Sequence, residues 1–560
     1  MDRSYARGST TVERLTQTIG DSFEQTVSRF GDREALVSPH QEQRFTYAEL
    51  NDAVDRLAAA FLRLGLEPGE RVGIWALNCF EWVITQFATA KAGLILVTIN
   101  PAYRASECEY VLNQSGCRML ISARSFKTSN YVAMVESVRT RLPNLEHVVF
   151  LDSPEWDALM VDDQDGRRRL AERMALLEPD DAINIQYTSG TTGFPKGATL
   201  THDNILNNGY FVGEGCGYSE RDRVCIPVPL YHCFGMVMGV LACVTHGATM
   251  VLPSATFEPQ AVLQAVQDER CTSLYGVPTM FIAELAQPDF GRYDLTSLRT
   301  GIMAGAPCPI EVMKRVIADM HVDEVTIAYG MTETSPVSTQ TALDDPVELR
   351  VSTVGTVHPH VEVKIVDPVS GRCVPRGATG ELLTRGYSVM LGYWDDPGRT
   401  AEVIDQARWM HSGDLATMDA DGYIRIVGRS KDMVIRGGEN VYPREIEEFL
   451  HTHPDVVETA VVGVPDVRFG EELMAWIRTR DGASLSEDAV RDFCRGRIAH
   501  YKVPRYVKLV DEFPMTSSGK VQKFKLREMA ITELELEPES PPHVDRDVAL
   551  SSSQALDGGH

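Results

Sequence analysis

The stretch IQYTSGTTGFPKGAT, residues 185–199, holds nine Gly, Ser, Thr or Pro residues in fifteen and one lysine, Lys196. The hydroxyls of Thr188, Ser189, Thr191 and Thr192 can donate to phosphate oxygens, and Lys196 adds a point charge. AINIQY before the loop reads as a strand; THDNILNNG after it opens with N-cap residue types and continues as a helix. Strand, Gly-rich loop, helix is an arrangement that points backbone N–H groups at a phosphate. The common nucleotide loop GxxxxGK[ST] is absent, because Gly197 follows Lys196. On loop chemistry alone a phosphate cradle and a structural turn both stand.

Other reactive types are equally open one by one. Glu333 follows the strand VTIAY, and ligands gather at strand ends of α/β sheets; a solvated loop carboxylate is the alternative. His232 lies in the apolar run PLYHCFGM, where a satisfied core histidine is common. Tyr329 can be core or a stacking platform. Lys520, in SSGKVQK, is followed by Lys523, Lys525 and Arg527, which alone reads as a solvated basic face. The GGEN turn, residues 437–440, precedes a helix start at Pro443 with acidic residues in its first turn.

These residues need elements to hold them. Residues 46–64 predict a helix, with a Thr46–Glu49 capping box and Leu50, Val54, Leu57, Phe61 and Leu64 at helical spacing. RVGIWAL then reads as a strand, FEWVITQFATAKAG as a helix and LILVTIN as a strand. TMVLP, TSLYG and VTIAYG continue the alternation, which implies parallel sheets covered on both faces. After about residue 350 the strands VEVKIVD, TGELLTRG and GYIRIVG crowd together as an antiparallel section. The expected fold is therefore α/β. A large N-terminal domain (1–428) carries βαβ-type sheets plus the smaller antiparallel section. Residues 429–431 form a hinge, 432–530 a small mobile α+β C-terminal domain, and the acidic 531–560 a disordered tail.

Composition sets outer limits. The 560 residues are 43% hydrophobic and 24% charged, with a formal net charge of −25. That charge speaks against nucleic-acid binding through a basic surface, so a polyanionic ligand must meet local positive groups. Apolar runs fall far short of the ~20 residues a membrane span needs. Eleven scattered cysteines without a CxxC pair speak against a zinc site or disulfide framework and fit reduced thiols better. MDRSYARGSTTVERLTQ lacks a signal-peptide core, and its Asp2 and Glu13 weaken an organelle-targeting reading; the cytoplasm is expected.

YTSGTTGFPKG resembles the signature of AMP-binding, adenylate-forming enzymes: acyl-CoA synthetases, luciferases and adenylation domains. PLYHCFG (229–235), AGAP (304–307), YGMTE (329–333), HSGDL (411–415), GRSKDMVIRGGENVYPREIE (428–447) and PMTSSGKVQK (514–523) follow in that family's order. The texture is most similar to medium-chain fatty acyl-CoA ligases. The resemblance implies an ATP-dependent acid–thiol ligase of fatty acid metabolism with ATP, Mg²⁺ and coenzyme A, which makes an acyl-adenylate and then a thioester. It implies that Thr188, Ser189, Gly190, Thr191, Thr192 and Lys196 hold the β- and γ-phosphates. Glu333, with Thr188, would bind Mg²⁺, and Thr332 would donate to the α-phosphate. Tyr329 would stack on adenine, beside Gly330 and a lining of Gly305, Ala306 and Pro307. Asp414, backed by Arg429, would accept the ribose hydroxyls; Ser412 stands where the family usually has Thr. His232 would position or gate the acyl group. Lys520 would bridge the attacking carboxylate and the α-phosphate, Gly437 and Gly438 would line the pantetheine tunnel, and Lys431 would be the hinge residue.

Phe234, Met236, Tyr275, Val277, Met280 and Met303 are the expected acyl-pocket lining. Competing functions are an acyl-AMP ligase that loads a carrier protein, an aryl-acid ligase, a luciferase-type oxygenase and a nucleotide-binding regulator on a dead ligase; intact Lys520, Glu333 and Asp414 oppose the last. The expected partners are a carboxylic acid, ATP and coenzyme A, with no nucleic acid, no membrane span and a homodimer left open.

Overall fold

Thr46 caps the helix Tyr47–Arg63 as its spacing predicts: its side chain accepts from the Glu49 N–H, and the Glu49 carboxylate accepts from the Thr46 N–H at 2.8 Å. The apolar stripe of this helix packs with helix Phe80–Ala92, whose residues are nearly all buried. The computed structural model describes residues 2–188, 195–306, 308–436, 439–480, 482–516 and 520–536, the side chain of Asn440 excepted. It divides into a large unit, Met1–Lys431 with Met515–Lys520, and a small unit, Asp432–Pro514 with the chain from Val521 on.

Two sheets organise the large unit. The first has seven strands in the order Gly392–Tyr393, Lys196–Thr201, Ala182–Thr188, Ile95–Thr98, Arg71–Trp75, Met119–Ser122 and His147–Phe150. Its last five strands are parallel and its first two antiparallel. The second has nine strands and a parallel centre running from Glu324–Gly330 through Thr300–Ala304, Ser273–Gly276, Arg223–Cys225 and Thr249–Val251 to Glu34–Ser38. The largest core joins inner faces of both sheets through the two helices, with Ile74, Leu96, Leu200, Leu36, Ile226 and Ile302 among its members. A second core covers the other face of the nine-stranded sheet and a third that of the seven-stranded sheet. The expected antiparallel section is a five-stranded sheet: Tyr5–Arg7, Val361–Val366, Gly380–Gly386, Met410–Met418 and Ile424–Arg429.

In the small unit the long pair Val456–Asp466 and Gly470–Thr479 sorts its side chains by alternation. Val461, Leu473, Ala475 and Ile477 meet helices Pro443–Leu450 and Glu487–Cys494, whereas Val462, Val464, Met474 and Trp476 meet helix Lys523–Glu533 through Leu526 and Ala530. Among the described residues no helix is long and apolar enough to cross a membrane. All eleven cysteines are free thiols; nine are buried, and Cys308 and Cys373 are partly exposed.

Helix His202–Gly215 begins on Thr201, which accepts from the Asn204 N–H at 3.1 Å. His202 itself is fully buried, its Nδ1 accepting from the Ile19 N–H at 3.1 Å while Nε2 has no partner among the described residues. Burial holds its pKa down to about 3. An unfolded histidine binds its proton near pH ~6.5, so between that pH and about 3 the unfolded chain is the more protonated state. Stability therefore drops as the pH is lowered through this window. His202→Gln is expected to lose less stability between pH 6.5 and 4 than the wild type, measured by urea unfolding at each pH.

Candidate active site

The Gly-rich loop does not lead into a helix. Lys196–Thr201 is a strand, antiparallel to Ala182–Thr188, with Thr188 opposite Lys196 and Tyr187 opposite Gly197. The loop thus closes a hairpin, and the helix expected from THDNILNNG follows its second strand, starting at His202 on the Thr201 cap. A phosphate at the loop would meet loop donors without a helix N-terminus directly behind them. KGATLT is instead buried between two neighbouring strands, pairing with Ala182–Thr188 on one side and Gly392–Tyr393 on the other. Ser189, Gly190, Thr191 and Thr192 lie outside the described residues, as do Pro307, Gly437 and Gly438.

Thr188 and Lys196 share one cavity, of about 370 Å³, with Glu333, Tyr393, Ser412 and Lys431. Glu333 sits in a short 3₁₀ turn, Thr332–Thr334, just past the strand Glu324–Gly330 and is 7% exposed. Its Oε1 accepts from the Tyr393 hydroxyl at 2.9 Å. Burial and the Glu333 carboxylate both push the Tyr393 phenol up, so it stays protonated. The Lys196 ammonium lies 5.1 Å from the centre of the same Tyr393 ring. Thr332 is buried beside Glu333.

Asp414 stands opposite Arg429 in the register of the antiparallel sheet. Its Oδ1 accepts from Arg429 Nε at 3.0 Å and its Oδ2 from the Tyr329 hydroxyl at 2.6 Å. The Ser412 hydroxyl accepts from the Asp414 N–H at 3.0 Å, the same job a threonine would do there. Burial, then the Asp414 carboxylate, pushes the Tyr329 phenol far up. Gly330 next to it cannot carry a side chain: an added Cβ would lie 1.7 Å from the Pro336 carbonyl oxygen.

Lys520 counts with the large unit. Desolvation lowers its pKa, Arg429 adds to that, and Asp414, Cys233 and Glu333 oppose it. Gly305 has φ +88°, and a Cβ there would come within 3.7 Å of Lys520 Cε and 3.2 Å of Val277. The bare backbone at Gly305 lets both approach. Ala306 is half-buried alongside. His232 is held neutral: burial, with Lys520 adding to it, brings its pKa to about 3. Its Nδ1 accepts from the Phe234 N–H at 3.2 Å, at the mouth of a π-helix, Phe234–Leu241, that is buried throughout. Such π segments occur often at functional sites. Lys196, Arg429, Lys431 and Lys520 thus supply local positive charge in a chain of net charge −25.

Of the expected acyl lining, Phe234, Met236, Tyr275, Val277 and Met280 share the central core, with the Phe234 and Tyr275 rings 5.6 Å apart. Met303 does not join them. It alternates with Ile302 on strand Thr300–Ala304 and packs in the outer core instead. Among the cavity residues given no role from sequence are Tyr393, Glu381 and His411, the last two joined by His411 Nδ1 and Glu381 Oε2 at 3.0 Å. His411 directly precedes Ser-Gly-Asp, a signal that could have found it. Tyr393 lies in a two-residue strand with no periodicity to read. The oxygen donors Glu333 and Thr188 suit a hard cation, but no cluster of three or more His, Cys, Asp or Glu ligands occurs among the described residues. A Mg²⁺ there would need phosphate and water oxygens to complete its shell.

A family model described as AMP-binding enzyme matches residues 23–394, and one described as AMP-binding enzyme C-terminal domain matches residues 445–520. The protein named "Putative acyl-CoA synthetase YngI" from Bacillus subtilis is 50% identical over 544 residues, 93% of this chain and 98% of that one. Medium-chain acyl-CoA ligase ACSF2, mitochondrial, from Danio rerio is 45% identical over 95% of this chain and 91% of its own. Among solved structures, the anthranilate CoA ligase AuaEII in complex with anthranoyl-AMP aligns with a TM-score of 0.84 and 30% identity over 94% of this chain and 99% of that one. ATP-bound MatB from Rhodopseudomonas palustris aligns at 0.78 and 29% over 92% and 99%.

Proposed function

The chain belongs to the AMP-binding enzyme family, and from that premise we propose how its residues divide the work of activating a medium-chain fatty acid. The enzyme is an AMP-forming acid–CoA ligase. Its substrate carboxylate attacks the α-phosphate of ATP and expels pyrophosphate; the thiol of coenzyme A then attacks the acyl carbon and releases AMP.

In the first step negative charges meet, so each must be screened. Thr188, Lys196 and the loop residues between them hold the departing phosphates. Thr332 donates to the α-phosphate. Glu333 and Thr188 would hold Mg²⁺, which supplies charge neutralisation at the phosphate oxygens. Tyr329 offers its ring to adenine while its hydroxyl and Arg429 fix Asp414 for the ribose hydroxyls. Gly305, Ala306, Pro307 and Gly330 keep backbone close to the base. Lys520 bridges the two reacting anions. His232, held neutral, positions the acyl group without adding charge. Gly437 and Gly438 line the pantetheine path, and Lys431 is the hinge between steps. The meeting of Thr188, Lys196 and Glu333 on one cavity supports this division of labour best.

A medium-chain substrate is supported by likeness to the ACSF2 relatives and by an apolar lining of Phe234, Met236, Val277 and Met280. We place the enzyme in the cytoplasm on its likeness to the bacterial relative; the vertebrate relatives are named mitochondrial. A panel of carboxylic acids, scored by AMP release with and without coenzyme A, tests the reading. Saturated acids of medium length are expected to give the highest kcat/KM, with sustained AMP release only when coenzyme A is present. A preference for aryl acids, or turnover with a carrier protein in place of coenzyme A, would refute it.

A further inference from the structure

The segment 388–394 ties together two parts of the cavity that are far apart in sequence. On one side it pairs with the strand that begins at Lys196: Ala198 is opposite Tyr393 and Thr199 opposite Gly392. The Trp394 N–H donates to the Gly197 carbonyl at 2.7 Å, and the Leu391 N–H to that of Thr199 at 3.0 Å. On the other side it grips the turn that carries Glu333. The Met390 N–H donates to the Glu333 carbonyl at 3.0 Å, and the Ser335 hydroxyl to the Ser388 carbonyl at 2.6 Å. Tyr393 projects from the middle of this strap, its N–H held by Thr400 Oγ1 at 2.8 Å.

We propose that Tyr393 is a positioning residue for adenylation, its hydroxyl fixing the Glu333 carboxylate and its ring seating the Lys196 ammonium. The hydroxyl has one partner among the described residues, Glu333 Oε1 at 2.9 Å, and the ring lies 5.1 Å from Lys196 Nζ. No donor among the described residues hydrogen-bonds Glu333 Oε2, so the bond turns one oxygen inward to the phenol and leaves the other for a ligand. A phenylalanine would fill the same 8%-exposed site, so packing alone does not call for the hydroxyl. A cation over an aromatic face is held without losing its charge to a carboxylate. One side chain thereby sets both the group read as the Mg²⁺ ligand and a cation read as a phosphate ligand. The inference rests on that reading of Glu333 and Lys196.

The test uses the full-length chain, an ATP analogue with a methylene bridge between the α- and β-phosphates, and Mn²⁺ followed by electron paramagnetic resonance. Tyr393→Phe is expected to weaken Mn²⁺ binding about 10- to 100-fold, the worth of one hydrogen bond to a charged metal-ligating group, while the KM for ATP and the heat-unfolding midpoint stay near wild type. Tyr393→Leu, which also removes the ring, is expected to raise the KM for ATP, as is Lys196→Ala. Glu333→Gln serves as the control. Wild-type Mn²⁺ affinity in Tyr393→Phe beside weakened affinity in Glu333→Gln overturns the role of Tyr393 alone. Wild-type affinity in both overturns the metal reading of Glu333 and the inference with it.

Discussion

Lys520→Ala is expected to slow acyl-adenylate formation from acid and ATP by about 100-fold or more, yet to convert supplied acyl-adenylate and coenzyme A to thioester at close to the wild-type rate. The reason is where charge collects. Two anions must approach before the first bond forms, and a compact ammonium between them lowers that barrier; the second step joins a thiol to an anhydride already made. The setting of Lys520 fits this use. Desolvation and Arg429 disfavour its charge, so an arriving carboxylate and phosphate would restore what Asp414 and Glu333 only partly supply. Gly438→Leu should show the opposite pattern, blocking thioester formation and sparing adenylation. Half-reaction assays on the two purified variants decide the matter. Equal damage to both steps in each variant would show that Lys520 and Gly438 do not serve the two steps separately.

The second large effect concerns stability. Lys91 is 0% exposed in helix Phe80–Ala92, a polar head group in the core. Its ammonium donates to Glu24, to Asp55 Oδ1 at 2.7 Å and to Asn51 Oδ1 at 2.7 Å, and stands 5.6 Å over the Phe23 ring. Arg167 reaches the other oxygen of Asp55 at 3.3 Å, which links helix Gln164–Met174 to the same knot. Removing the buried ammonium leaves the largely buried Asp55 without its nearest cation, while Glu24, 43% exposed, can turn to water. Lys91→Ala should destabilise the large unit by about 3–5 kcal/mol, read as a shift in the midpoint of its urea transition. Lys91→Met restores the volume but not the charge, so it should recover part of that loss. A loss below about 1 kcal/mol in the alanine variant would mean that the pairs barely repay their own desolvation.

How much of this was legible follows from which forces are local. The helix after Thr46, the buried parallel strands and the antiparallel section are set by capping and by period, and they stand where the pattern puts them. Asp414 with Arg429 came from the resemblance rather than from any local pattern, and the structure sets the two opposite each other across adjacent strands of one sheet. The strand Lys196–Thr201 was not legible. Its glycine-rich approach made KGATL read as part of the loop, whereas pairing with Ala182–Thr188 and Gly392–Tyr393 makes it a strand; the helix itself starts on the Thr201 cap where THDNILNNG puts it. Met303 was misplaced for a related reason: a short apolar strand buried on both faces does not reveal which of its residues look inward. Tyr393 and the π-helix Phe234–Leu241 depend on contacts with segments remote in sequence, and nothing in their own neighbourhoods announces them.

The burial of nine of the eleven thiols bears on their chemistry as well as on packing. An oxidant or alkylating reagent attacks a thiolate it can reach, and burial both withholds the sulfur and pushes up the pKa of thiols such as Cys79, Cys225 and Cys243. To such reagents the folded chain presents two cysteines, Cys308 and Cys373, and the other nine only when it opens. Its free thiols are therefore guarded kinetically by the fold. They would persist for as long as the fold does in surroundings far more oxidising than the ones their number and spacing first suggested.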